Sequence, residues 1–375
     1  MNILITDKDK IKNPKKEFYL GKKFNVTSLG GLNPTEQRLI DVLPTLTDTK
    51  KILIIGNRTG VIGMIAQNLF PDAEVNFHCI DLYHAASINR NLVRNSIKKV
   101  KVLCEPYINK ANEINIILIQ ISKSSMQKEL ICDYVQQIHQ ALVKGGKCYV
   151  SLEDDAKFIE GQFKKSFGNL SIDNSDKHCP VLTVKKKDDL ENLKNYETEF
   201  EMSIPNKEPF KLITIPGVFA HRRVDPGAQA LAEVVEAVEG DKVVDMGCGC
   251  GSIGISIAKY NNIEHVAFID SDSRAIYSTE LNCKNNGIEN YKTILSTDGF
   301  PAKNEYTLFV GNPPYYSNYK ISELFIKQAH KCLKPKARAY IVAKTADWHY
   351  DFMLQLFGNA EIIKRRGYQI VKSVK

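Results

Sequence analysis

Val243-Val244-Asp245-Met246-Gly247-Cys248-Gly249-Cys250-Gly251-Ser252-Ile253-Gly254 is the stretch whose reading decides the fold. Its β-branched opening reads as a buried strand, the alternating glycines as a tight turn, and Ser252-Ile253-Gly254 as the start of a helix. The same progression occurs upstream. Lys51-Ile52-Leu53-Ile54-Ile55-Gly56 runs through Asn57-Arg58-Thr59-Gly60 into Val61-Ile62-Gly63-Met64. Gly56 and Gly247, Gly60 and Gly251, and Tyr149 and Tyr340 are all separated by 191 residues. An offset held over about a hundred residues predicts a duplicated domain, and a unit of that length suits paired α/β domains better than a solenoid.

The intervening sequence fits strands alternating with helices. Asn33-Pro34-Thr35-Glu36 carries a helix cap followed by proline at the first helical position. A second strand ends at Asp81 and a third runs over 114–121; a helix is expected over 126–143, then Gly145-Gly146 and a strand over 147–152. This alternation predicts a mostly parallel sheet covered by helices on both faces. Residues 185–201 are dense in charge and poor in apolar side chains, which suggests a linker or an exposed charged helix. The expected domains are therefore 1–190 and 210–375, joined by 191–209.

A chain of 375 residues, 43% hydrophobic and 25% charged, is long enough for two cores. No stretch approaches the roughly twenty apolar residues of a membrane span, and the first sixteen residues are charged rather than signal-like, so a cytoplasmic location is expected. Nine scattered cysteines lack paired zinc-ligand spacing, and neither metal nor disulfide is expected. Residues 1–190 carry 28 Lys+Arg against 21 Asp+Glu, while residues 191–375 carry 23 against 22. The basic excess lies in the first half, where it permits a polyanionic partner.

The two copies differ in residues that could carry chemistry. The second has Asp245 followed by Gly247, Gly249 and Gly251, a turn that lets the backbone approach a ligand at a helix amino terminus. The opening carboxylate suits a cationic ligand. Asp270 ends the next strand, where it can accept both hydroxyls of a ribose, and Asp298 ends the third, within reach of an adenine amino group. After the strand Tyr306-Thr307-Leu308-Phe309-Val310, Asn312-Pro313-Pro314-Tyr315 puts an amide and an aromatic ring on a stiff turn. At the matching positions the first copy has Ile54, Arg58 and Gln120-Ile121-Ser122-Lys123. It keeps the fold pattern and loses the site pattern; Arg58 and Lys123 are candidate phosphate contacts.

Asp245 to Gly251, Asp270, Asp298 and Asn312 to Tyr315 together resemble the class I S-adenosylmethionine-dependent methyltransferases. The last four residues resemble the signature of enzymes that methylate exocyclic or amide nitrogens. Ile215-Pro216-Gly217-Val218-Phe219, with Asp225-Pro226-Gly227 before a helix, is similar to the bacterial ribosomal-RNA guanine-N2 methyltransferases of the methyltransferase small group. Those enzymes carry a degenerate amino-terminal copy of the fold. Pro226 and the Tyr315-Tyr316 pair depart from the group's pattern.

The resemblance implies two tandem Rossmann-like domains, S-adenosylmethionine bound by Asp245, Gly247, Gly249, Gly251, Asp270, Asp298 and Asn312, and ribosomal RNA or a ribosomal subunit as partner. Asn312 and the Pro313 carbonyl would hold the amino hydrogens of the target, and Tyr315 would stack on a flipped base. Phe219, Arg222, Arg223, Pro314 and Tyr316 are the further candidate substrate contacts. Two alternatives stand beside this reading. One is methylation of another planar nitrogen, adenine N6 or a protein glutamine; the other is a non-catalytic RNA-binding protein.

Overall fold

A computed structural model describes residues 2–4, 15–19, 22–26, 33–56, 58–121, 127–153, 157–314 and 318–375. The chain forms two compact units, Asp7–Tyr196 and Glu197–Lys375, the latter joined by Met1–Thr6. The division at 196/197 lies within the expected 191–209 connector. The first residues differ from the expectation of 1–190, because Asn2–Leu4 pairs in parallel with Tyr291–Ser296 of the second unit. Residues 186–197 contain no helix; Thr198–Met202 instead forms an antiparallel hairpin with Phe210–Thr214.

The first unit holds a seven-stranded sheet in the order Lys101–Cys104, Glu74–Cys79, Lys51–Ile55, Ile114–Ile121, Leu142–Leu152, Val181–Lys185, Ser171–Asp173. The first five are parallel and the last two antiparallel. Leu142–Leu152 begins five residues before the expected strand, directly after the helix Lys128–Ala141, and its register shifts opposite Ile114/Ile116. Gly145 sits there with φ +86°, a conformation that needs no side chain, so the two glycines bend the strand instead of preceding it. Asn33 caps Pro34–Val42 as expected, its Oδ1 accepting the Thr35 N–H at 3.0 Å. Lys15–Tyr19 and Lys22–Val26 pair as a short ribbon.

The second unit repeats these seven strands in the same order and adds an eighth, Asn2–Leu4, at one edge. Its order is Asn2–Leu4, Tyr291–Ser296, His265–Asp270, Lys242–Met246, Tyr306–Gly311, Leu333–Ala343, Tyr368–Val374, Glu361–Arg365. Parallel pairing again holds through Leu333–Ala343 and turns antiparallel in the last two strands. The parallel strands carry Val, Ile, Leu and Phe because both faces are covered; Val243, Val244, Leu308, Phe309 and Val310 are all fully buried.

Two details show what the duplication has kept. A methyl group added to Gly63 would lie 2.3 Å from the Phe77 ring, and one added to Gly254 would lie 2.4 Å from the Phe268 ring. Each glycine lets its helix press onto a phenylalanine of the next strand. Asn91 donates to the Thr59 carbonyl at 2.9 Å, and Asn282 donates to the Cys250 carbonyl at 3.0 Å, so the same amide holds each glycine-containing turn. Both pairs of positions are 191 residues apart.

Candidate active site

The site of the second unit lies at the carboxyl ends of its parallel strands. Asp245, one residue before the end of Lys242–Met246, is fully buried. Its Oδ2 accepts the Gly254 N–H at 2.8 Å, while its Oδ1 has no partner among the described residues. Burial pushes this carboxyl up to about 7; the charge of Asp270 adds to the rise and the Gly254 N–H opposes it. A buried carboxylate with one unspent oxygen is a place for a cation or a donor.

The turn that follows is shaped by left-handed glycines. Gly249 has φ +56°, and a methyl group there would meet nothing within 4 Å among the described residues. The turn therefore faces open space at that point. Its backbone is held from two sides, with the Gly249 N–H donating to Asp270 Oδ2 at 2.9 Å and Thr279 Oγ1 donating to the Gly249 carbonyl at 2.9 Å. Gly247 is also left-handed at φ +71°, and a methyl group there would strike the Phe325 ring at 2.8 Å. Gly251 caps the helix Ser252–Tyr260. Asp270 also accepts the Asp272 N–H on Oδ1 at 3.0 Å, so its carboxylate is fixed by two backbone donors. Asp298 is exposed beyond Tyr291–Ser296, its N–H donating to Ser296 Oγ at 3.3 Å.

Asn312 follows the strand Tyr306–Gly311 and donates from Nδ2 to Asp225 Oδ2 at 2.8 Å. The same Asp225 oxygen accepts the Ala228 N–H at 2.8 Å as the cap of Pro226–Ala232. Because a carboxylate can only accept, Asn312 must turn its NH2 toward it and present Oδ1 elsewhere. Gly227 makes room for this contact. A methyl group there would lie 3.0 Å from Asp225 Oδ2, 3.2 Å from the Tyr368 ring and 3.5 Å from Asn312 Oδ1. Pro313 is buried and Pro314 half-buried. Tyr315 and Tyr316 lie outside the described residues, as does Lys123.

The segment carrying Phe219 is tied down from below. Arg274, fully buried, donates to the Pro216 carbonyl at 2.6 Å, and Asn282 brackets Ile213 through both its N–H and its carbonyl. Ile215 and Val218 are buried, whereas Phe219 is 67% exposed. Ala220 and Arg222 are both left-handed, and Arg222 and Arg223 are exposed.

The first unit carries different side chains at the corresponding positions. Glu36 stands where the second unit has Gly227, and it is buried against Thr59, whose hydroxyl donates to it. Gln120 donates to Thr35 at 2.7 Å, Ile54 replaces the buried carboxylate, and Arg58 is exposed.

The sequence reading missed four residues here. Asp225 read as part of a motif and not as the partner of Asn312, 87 positions away; Asp before Pro signals a helix cap but names no distant contact. Arg274, Asn282 and Glu36 gave no signal of their own, although aligning the two halves at offset 191 would have set Glu36 against Gly227. Among the described residues no cluster of three His, Cys, Asp or Glu is arranged to hold a metal ion. No helix there is long and apolar enough to cross a membrane.

Comparison with known proteins bears on this geometry. Residues 209–372 match the family described as methyltransferase small domain. The ribosomal RNA small subunit methyltransferase C of Pseudomonas entomophila is 28% identical over 227 residues, covering 58% of this chain and 68% of that protein. The protein of the same name from Acinetobacter baumannii is 29% identical over 228 residues, covering 56% and 67%. The chain thus spans about two thirds of the length of these relatives. Among solved structures, the T. thermophilus 16S rRNA N2 G1207 methyltransferase (RsmC), in complex with AdoMet and guanosine, superimposes with a TM-score of 0.75 at 16% identity. That match covers 96% of this chain and 98% of the other, so both units share its fold. Residues 209–372 thus carry a methyltransferase small domain behind a second copy of the same sheet, and the chain resembles the class I S-adenosylmethionine-dependent methyltransferases that act on guanine N2 of ribosomal RNA.

Proposed function

We propose that the chain methylates the exocyclic N2 of a guanine in small-subunit ribosomal RNA, with Asn312 as the residue that meets the target nitrogen. The observation that carries the reading is the Asp225–Asn312 contact, which takes up the amide NH2 and turns the amide oxygen away from that carboxylate. The named relatives act on small-subunit ribosomal RNA, and this supports the choice of substrate.

S-adenosylmethionine fits the glycine-turn site on two counts. The unpaired oxygen of Asp245 offers an acceptor to its ammonium group, and the open face at Gly249 leaves space beside the backbone. Asp270, held rigid by two backbone N–H groups, accepts the ribose hydroxyls. Asp298 stands at the adenine end. When bound, the cofactor supplies a methyl group on a sulfonium, which keeps the C–S electron pair as the new C–N bond forms.

The chain's residues then have three tasks. Asn312 Oδ1 accepts a hydrogen bond from the amino nitrogen and stabilises the positive charge that develops on it. Asp225 fixes the rotation of that amide, so no reorientation is needed during transfer. Buried Pro313 gives the turn its stiffness, and its carbonyl is the second acceptor. The proton lost from nitrogen passes to water, and no general base is required.

The test is incubation with methyl-labelled S-adenosylmethionine and separate RNA, DNA and protein acceptors, followed by nucleoside analysis. The expected product is N2-methylguanosine from small-subunit ribosomal RNA. Label appearing in N6-methyladenosine or in protein glutamine would overturn the assignment.

A further inference from the structure

Beyond the reacting loop the second unit carries a ladder of aromatic rings that the transfer reaction does not use. Tyr319 stacks on Trp348 with centroids 4.7 Å apart and planes 13° from parallel, and Trp348 stacks on Phe352 at 5.0 Å and 11°. His349 supports Tyr319 edge-on at 5.7 Å and is itself held by Ser322 at 3.1 Å. Tyr319 precedes the helix Lys320–Cys332, reached from the strand Tyr306–Gly311; Trp348 opens the helix Asp347–Phe357, reached from the neighbouring parallel strand Leu333–Ala343. The rings therefore stand on the same strand-end rim as Asn312, which Tyr319 follows by seven residues in the chain.

Two features distinguish this ladder from ordinary packing. Its outer ring, Tyr319, remains 45% exposed. Asn318 and Tyr319 are also consecutive left-handed residues, φ +46° and +63°, a conformation unfavourable for a bulky side chain that persists only where surrounding contacts impose it. The backbone accepts strain to hold a flat apolar surface at the rim.

Building on the guanine-N2 reading, we propose that the Tyr319–Trp348–Phe352 ladder is a stacking platform for the unpaired base next to the methylated guanine. A base flipped from its stack leaves its neighbour without a partner, and an exposed aromatic face is the sequence-tolerant way to replace one.

Trp348 is the only tryptophan in the chain, so its emission reports directly on the platform. The full-length protein is titrated with a fluorescein-labelled RNA hairpin whose unpaired loop contains guanine. Anisotropy follows binding, and an unlabelled copy is used for Trp348 emission. Emission should change in step with binding. Tyr319→Ala should weaken RNA affinity about five- to a hundredfold, the range for loss of one base stack. Tyr319→Phe should restore it and Tyr319→Leu, which keeps apolar cover on Trp348, should not; S-adenosylmethionine affinity by calorimetry should hold in all three. Tight RNA binding and methylation with silent Trp348 emission and unchanged affinity in Tyr319→Ala would overturn the platform alone. Absence of RNA binding, or transfer only to DNA or protein, would overturn the platform together with the guanine-N2 reading.

Discussion

Asn312 Nδ2 and Asp225 Oδ2 are 2.8 Å apart, and this contact joins the loop after one central strand to the cap of a helix 87 residues earlier. The carboxylate serves two donors, the Asn312 amide and the Ala228 N–H. Asp225→Asn keeps a cap acceptor but lets the new amide compete for the Asn312 oxygen. Turnover should fall about ten- to a hundredfold, with S-adenosylmethionine affinity within a few fold, as expected for a group that aligns an acceptor without touching the cofactor. Asn312→Ala should lower the transfer step about a hundredfold or more with equally little effect on cofactor affinity. Single-turnover rates set beside calorimetric affinities make the separation; parallel losses in both would place Asn312 in the cofactor site.

The cofactor should bind once per chain. In the first unit Glu36, at the position of Gly227, is buried against Thr59, and Ile54 supplies no carboxylate at the position of Asp245. Calorimetry should give one site per chain, lost in Asp270→Ala combined with Gly249→Arg. Two equivalent sites, or binding that survives the double variant, would refute this.

Asp245 makes the second unit sensitive to pH. Its carboxyl is raised in the folded chain from about 4 to about 7, because burial disfavours the charged form. The folded state thus holds a proton that the unfolded state has released. The stability linked to this group is full below about pH 4 and is lost as pH rises through about 7. Thermal unfolding of the ligand-free protein, compared with Asp245→Asn at each pH, should show the wild type gaining on the variant as pH falls from about 7 to about 4. A difference flat across that window would mean that Asp245 is ionised throughout.

The sheets were legible because β-branched runs, glycines and proline caps are local signals, and the 191-residue offset supplied the duplication. The strand bend at Gly145 and the hairpin at 198–214 were not, since both depend on which strand lies alongside. At the site, the glycine turn and Asp270 were visible as residues, but their mutual bond through the Gly249 N–H was not. Asp225 was hidden for the same reason, because its role is set by a partner that only the folded sheet brings near.

Gly254 and Gly63 give a test of how each unit is built. Alanine at either would press a methyl group into a phenylalanine ring at 2.4 or 2.3 Å, and overpacking of this kind costs about 1–3 kcal/mol. Gly254→Ala also sets that methyl group 3.0 Å from Asp245 Oδ2, so it should weaken cofactor binding as well as stability. Gly63→Ala should lower stability and leave cofactor affinity unchanged. Equal effects of the two variants on affinity would contradict a single cofactor site.

The first unit, with Ile54 and Arg58 in place of Asp245 and Gly249, is proposed to hold RNA. The motivation is its basic excess, 28 Lys+Arg against 21 Asp+Glu over residues 1–190, together with exposed Arg58 and Lys98. Lys123 belongs to the same set by sequence. If these side chains neutralise phosphates, each contact contributes roughly 0.7 to 0.9 to the slope of log affinity against log salt. Arg58→Gln with Lys98→Gln and Lys123→Gln should therefore flatten the slope by about two and raise the Michaelis constant for RNA, with S-adenosylmethionine affinity unmoved. The full chain is the right material, since removing residues 1–190 would also take Asn2–Leu4 out of the second unit's sheet and confuse loss of RNA contact with loss of folding. A triple variant that methylates RNA with the wild-type slope and Michaelis constant would assign the first unit a structural role, with the RNA contacts sought instead on the rim that carries Asn312, Tyr319 and Trp348.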